Sequence, residues 1–178
     1  MRFHIAQHIA IKPMWFKFIA WQDDAASKIK FGEYELTPNM SSPDILALLI
    51  SGKTLHHTIT FPEGWNFKAV RQELDANPFI EHALKDRSNS EILAELGITE
   101  NHPEGLFFPD TYFFEKHTTD TILLKRAYQK MQQILVDEWR NRSEDTPLTT
   151  PYQALVLASI IEKETAATHE RMQISGVF

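Results

Sequence analysis

Apolar residues recur every three or four positions through much of this chain and every second position in two short stretches, and the two periods predict different elements. Pro13 to Gln22 has Pro at a plausible first helical position, with Trp15, Phe16, Phe18 and Ile19 on helical spacing behind it. Lys30 to Leu36 alternates Phe31, Glu33 and Glu35 with Gly32, Tyr34 and Leu36, which predicts a short strand. Ser42-Pro43-Asp44 then predicts a helix start with Ser42 as cap; Ile45, Leu46, Leu48 and Leu49 form its apolar stripe and Gly52 its stop. Leu55, His57, Ile59 and Phe61 alternate with His56, Thr58 and Thr60 as a second strand. After the Pro62-Glu63-Gly64 turn, Asn66 is placed to cap a helix carrying Phe67, Val70 and Leu74, which Asn77-Pro78 ends. Two more helices are expected, Ser90 to Leu96 closed by Gly97, and Asp120 to Arg142 with Ile122, Leu123, Ala127, Met131, Ile134 and Leu135 on one side. Thr150-Pro151-Tyr152-Gln153 has the form of a capping box opening a last helix.

Up to about residue 57 helices and strands alternate; beyond it helices dominate. The expected class is therefore α+β, with a boundary between 1–57 and 58–178. The net charge of −6 argues against a nucleic-acid partner, since neutralising phosphates needs an excess of Lys and Arg on one face. The absence of cysteine removes thiol catalysis, thiolate metal sites and disulfides. The start, Met1-Arg2-Phe3-His4-Ile5-Ala6, lacks the apolar run of a secretory signal, and the longest apolar run, Ala154 to Ile161, is too short to span a bilayer. The abrupt end at Ser175-Gly176-Val177-Phe178 is that expected of a fragment.

Two stretches could carry chemistry. In the last helix Glu162 lies seven residues after Leu155 and four after Ala158, on one helical face with both. Desolvation on an apolar face raises a carboxyl pKa, and a carboxylic acid kept protonated near neutrality suits glycosidic cleavage. The competing reading is that Glu162 marks where the helix emerges into water and pairs with Lys163 or Arg171. The second stretch is Glu104-Gly105-Leu106-Phe107-Phe108-Pro109-Asp110-Thr111-Tyr112-Phe113-Phe114. Aromatic faces stack on sugar rings and carboxylates accept from hydroxyls, so such a loop could line a glycan groove. The competing reading, which spacing alone favours, is a core-packing loop whose Asp110 caps local backbone.

Glu104 to Phe114 resembles the Glu-Gly-x-x-Phe-Pro-Asp-Thr-Tyr motif of the YceG-like endolytic transglycosylases, and Leu157 to Thr165 resembles their Leu-Ala-Ser-Ile-Ile-Glu-x-Glu-Thr motif. In the same order, Lys30 to Tyr34 with Met40 to Lys53 looks like their LysM-like subdomain, and Phe61-Pro62-Glu63-Gly64 like the entry to their catalytic domain. The resemblance implies a small LysM-like subdomain (1–57) beside a mainly helical, C-terminally incomplete catalytic domain (58–178). It implies a peptidoglycan lytic transglycosylase that cuts the MurNAc–GlcNAc bond within glycan strands and leaves 1,6-anhydro-MurNAc ends, helping to terminate nascent strands. Glu162 is the implied catalytic residue; Glu104, Asp110, Tyr112 and Glu164 match motif positions and are implied at the substrate groove. No metal and no cofactor is implied.

Family members usually begin with a membrane-spanning helix and continue past the position of Phe178. The resemblance therefore implies truncation at both ends, a groove open on one side and poor cleavage by the fragment itself. The full-length protein would sit in the bacterial inner membrane with this part in the periplasm, its partners being glycan strands and the cell-wall synthesis machinery. Two alternatives stay open, a non-catalytic peptidoglycan-binding module and a two-carboxylate glycoside hydrolase. Other chemistries find little support. There is no His-Glu-x-x-His, and neighbouring His56 and His57 fall on opposite strand faces where they cannot chelate together. There is no Gly-x-Ser-x-Gly and no phosphate-cradling glycine loop.

Overall fold

The computed structural model describes residues 27–164, so the helix expected over Pro13 to Gln22 lies outside the described residues. The chain divides into two compact units, Met1–His57 and Thr58–Phe178, and its elements are those of an α+β protein.

In the first unit the helix α1 (Ser42–Ser51) starts one residue earlier than its sequence suggests. Ser41, not Ser42, is the cap, because Ser41 and Asp44 are three apart and close a reciprocal capping box that Ser42 could not make. Gly52 ends the helix in the left-handed conformation, φ 70°. Ile45, Leu46 and Leu49 are its buried face. Lys30 to Leu36 does not form the expected strand. Isolated backbone bonds take the place of a ladder, Lys30 N–H to the Leu49 carbonyl (3.1 Å) and Leu55 N–H to the Glu33 carbonyl (2.7 Å). Gly32, at φ 153° and pressed against the Thr54 side chain, breaks the pleat that alternation alone suggested. The Tyr34 hydroxyl lies within hydrogen-bond distance of the Lys30 and Leu49 carbonyls (2.9 and 3.2 Å).

The second unit is built on alternation and capping. Strand β1 (His57–Thr60) buries Ile59, with Phe61 just beyond it. Helix α2 (Phe67–Ala76) is capped by Asn66, whose side chain accepts from Ala69 N–H, and it buries Phe67, Val70 and Leu74 as its spacing predicts. Strand β2 (Ile80–Glu81) leads to α3 (Asn89–Leu96), which a Ser88–Glu91 capping box opens and Gly97 closes. Strand β3 (Thr111–Phe114) pairs with β1, turning Tyr112 and Phe114 inward and Thr111 and Phe113 outward. Strand β4 (Thr118–Thr119) runs parallel to β2, Ile80 opposite Thr118 and Glu81 opposite Thr119.

Helix α4 (Asp120–Arg140) buries Leu123, Leu124, Ala127 and Met131. Its stripe is rotated from the expected one, since Ile122 is exposed and Leu124 is buried. The rotation follows from Asp120, which faces inward. One carboxylate oxygen accepts from Leu84 N–H at 3.0 Å and the other from Thr121 N–H at 2.7 Å. A buried carboxylate so bonded at a helix N-terminus is stabilised by the dipole as well.

Helix α5 (Pro151–Glu164) is opened by the predicted capping box. Gln153 N–H donates to Thr150 Oγ1 (3.2 Å), and Gln153 Oε1 accepts from the amides of Thr149 (2.7 Å) and Thr150 (3.2 Å). The helix touches α4, yet none of its residues is buried, despite its apolar sequence.

Candidate active site

The aromatic stretch 104–114 is stitched to the 61–67 turn by four contacts. Phe61 N–H donates to the Asp110 carbonyl at 2.9 Å. The Phe61 and Tyr112 rings lie 5.3 Å apart at a 44° tilt, and Phe67 stacks on Phe107 at 5.0 Å. Glu104 Oε2 accepts from Phe67 N–H at 2.9 Å, so this carboxylate satisfies one of the orphan donors at the start of α2.

Asp110 has several partners. Its Oδ1 accepts from Thr111 N–H at 2.7 Å and its Oδ2 pairs with Lys130 of α4. The Lys130 hydrogen bond first, then the Thr111 amide, holds the Asp110 carboxyl below its usual range. Lys130 also lies over the Phe108 ring, 5.2 Å from its centroid. Phe108 N–H donates to the Ala127 carbonyl, a second tie from loop to helix.

Tyr112 sits in the core, 7% exposed, and its hydroxyl donates to the Phe108 carbonyl at 2.6 Å. Burial first, then the nearby Asp110 charge, raises its phenol pKa. The side chain is thus packed in the core, and its hydroxyl is tied to the loop's own backbone.

The loop meets α5 at Gly105. A Cβ there would stand 3.5 Å from Leu155 Cδ2, so the Leu155 face of α5 looks onto the loop's glycine. Glu162, two helical turns further along, is half-buried, while Ala158 between them is exposed. The apolar setting expected of Glu162 is thus only partial, because α5 lies on the surface of the unit rather than within it. Glu164 is exposed.

Glu104, Asp110 and Tyr112 are therefore gathered round one loop, and the helix bearing Glu162 and Glu164 docks on it. A cavity of about 250 Å³ lies elsewhere, lined by Ala83, Leu84, Arg87, Glu91, Glu95 and Thr121. It borders neither the loop nor α5, and cavity size is a poorer guide here than the chemistry of the motifs. Lys130 and Phe67, the partners of Asp110 and Glu104, gave no sign in the sequence; they lie 20 and 37 residues away along the chain.

The profile of the YceG-like family matches residues 4–178. The chain belongs to the YceG-like family. Among curated relatives, the endolytic murein transglycosylase of Streptococcus pneumoniae (serotype 2, strain D39) is 28% identical over 178 aligned positions, covering 84% of this chain and 32% of its own length. That of Bacillus subtilis (strain 168) is 26% identical over 170 positions, covering 86% of this chain and 47% of its own length. The chain thus spans about a third of the pneumococcal relative and under half of the Bacillus one. A crystal structure of a YceG-like protein from Listeria monocytogenes aligns over 93% of this chain and 59% of its own, at 20% identity and a TM-score of 0.47. Among the described residues no helix is long and apolar enough to cross a membrane.

Proposed function

We propose that this chain is the part of an endolytic peptidoglycan lytic transglycosylase that carries the catalytic acid, Glu162. The observation that carries the reading is the approach of α5, the helix bearing Glu162, to the aromatic loop. Leu155 of α5 faces Gly105, and Glu162 follows two turns later on the same helix.

In this reading the Glu162 carboxylic acid protonates the oxygen bridging MurNAc to GlcNAc as the C1–O bond breaks. The MurNAc C6 hydroxyl oxygen then bonds to C1, its proton passing to the Glu162 carboxylate. One C–O bond is lost, one is formed, no water is consumed and the acid is regenerated. Because the nucleophile belongs to the sugar, no second carboxylate is needed to activate water, unlike the two-carboxylate hydrolases. Glu104, Asp110 and Tyr112 shape the loop beside this site, and Glu164 lies at its solvent edge. The Met1–His57 unit serves as a LysM-like glycan-binding part, and the complete protein works from the inner membrane into the periplasm beside the synthesis machinery.

The test is Glu162→Gln in a protein of the relatives' full length, incubated with peptidoglycan and read by mass spectrometry of the strand ends. The expected result is a roughly 10²–10⁴-fold loss of 1,6-anhydro ends with unchanged folding. Anhydro ends released at the normal rate by the folded Gln variant would remove Glu162 from the mechanism. Reducing ends in the unaltered protein would mean hydrolysis, and no new ends a binding module.

A further inference from the structure

Strand β3 buries Tyr112 and Phe114 and leaves Phe113 between them 64% exposed, where alternation ordinarily places a polar residue. Beside it on the outward face is the exposed Thr111, whose hydroxyl lies 2.8 Å from that of Thr60 on β1. Arg126 of α4 reaches the same strand, donating from Nη1 to the Phe113 carbonyl at 3.0 Å. That bond fixes the guanidinium next to the aromatic ring's own backbone and leaves most of its N–H donors for another acceptor. This stretch of α4 is basic. Between Asp120 and Asp137, α4 has no acidic residue and carries Lys125, Arg126 and Lys130, in a protein of net charge −6. Lys130 is held by Asp110, whereas Arg126 is exposed and bonded to a neutral carbonyl.

An exposed aromatic ring, hydroxyls and a fixed guanidinium on one surface suit a ligand that is a sugar at one end and an anion at the other. We infer that Phe113 and Arg126 form a substrate subsite that takes a peptidoglycan strand by its peptide-bearing sugar, the ring stacking on the sugar and the guanidinium pairing with a carboxylate of the stem peptide. This rests on the peptidoglycan reading above and adds to it a preference for stem-bearing over stripped strands.

The probes are fluorescently labelled glycan strands with their peptide stems and the same strands stripped by an amidase, titrated with a protein of the relatives' full length and followed by anisotropy. The unaltered protein is expected to bind the stem-bearing strands roughly tenfold more tightly, the scale of one charge-assisted contact. Arg126→Gln should abolish that preference while leaving affinity for stripped strands unchanged. Phe113→Ala should weaken both strands alike, and Arg126→Lys should keep part of the preference, which separates loss of charge from loss of fold. Equal binding of the two strands by the unaltered protein, or full preference in Arg126→Gln, overturns the subsite and leaves the transglycosylase reading standing. Failure of the unaltered protein to bind either strand overturns both.

Discussion

The Glu104 carboxylate accepts the Phe67 amide of α2 at 2.9 Å, so a residue of the aromatic loop caps the start of a helix that begins 37 positions earlier. Such a carboxylate works as a cap from outside the helix, with the N-terminal partial charge strengthening the bond. Glu104→Ala is expected to cost about 1 kcal/mol, the scale of a lost N-cap, and to lower the melting temperature. Calorimetry beside a glycan-binding titration checks this. Lost binding with an unchanged melt would mean that Glu104 meets substrate and that the cap adds little.

Tyr112 offers a cleaner separation of roles. The side chain is buried against Phe61 and its hydroxyl is bonded to the Phe108 carbonyl. Tyr112→Ala should cost about 3–5 kcal/mol, as for other large aromatics lost from a core. Tyr112→Phe keeps the packing and removes one hydrogen bond, for about 0.5–1.5 kcal/mol. Cleavage per folded molecule should be near normal in the Phe variant. A severe catalytic defect in a stable Tyr112→Phe protein would place the hydroxyl at the substrate.

These residues show what the sequence could and could not convey. Caps were legible because they are local: Asn66, Gly97 and the Thr150–Gln153 box sit where their spacing predicts. Even the one-residue shift from Ser42 to Ser41 obeys the same rule, since only Ser41 has an acid three residues on. The α5 burial was not legible, because an apolar helix reads the same whether or not other chain covers it. Nor was the division of labour in the aromatic loop. Phe67 and Lys130, which bond two of its carboxylates, are brought in by tertiary folding from far along the chain. Lys30 to Leu36 failed for a related reason, as alternation predicts a pleat but Gly32 meeting Thr54 decides against it.

Stability should fall at both ends of the pH scale, for different residues. Asp44 and Glu91 are held below their usual carboxyl pKa by the Ser41 and Ser88 hydroxyls and amides, and Asp110 chiefly by Lys130. A folded pKa below the unfolded value of about 4 gives stabilisation that is complete above that value and is lost as pH falls through the folded one. Tyr112 has the opposite sign for a neutral acid. Its raised folded pKa favours the protonated phenol, so folding is unaffected up to about pH 10 and weakens above it, where only the unfolded chain ionises. Melting temperature measured from pH 2 to 11 should show both limbs. Asp110→Asn should shallow the acid limb and Tyr112→Phe the alkaline one; an alkaline limb unchanged in Tyr112→Phe would assign it to another group.

The contact of Leu155 with Gly105 should matter more to catalysis than to stability. Leu155 is half-buried on a helix with no buried residue, so Leu155→Ala should cost less than the roughly 2–5 kcal/mol of a core leucine. If that contact sets the position of Glu162, its loss lets α5 shift along the loop, and a shift of about 1 Å at the reacting groups is enough to cost 10²-fold in rate. The expected signature is a lower kcat with little change in KM, restored by Leu155→Met, which refills most of the volume. Gly105→Ala separates backbone from contact. At φ 76° a side chain is strained by about 1–2 kcal/mol, while the new methyl would meet Leu155 Cδ2 at an ordinary 3.5 Å. That variant should melt lower but cleave normally per folded molecule. Normal kcat in Leu155→Ala would show instead that α5 is held in place without this leucine, and that Glu162 owes its position to other parts of the protein.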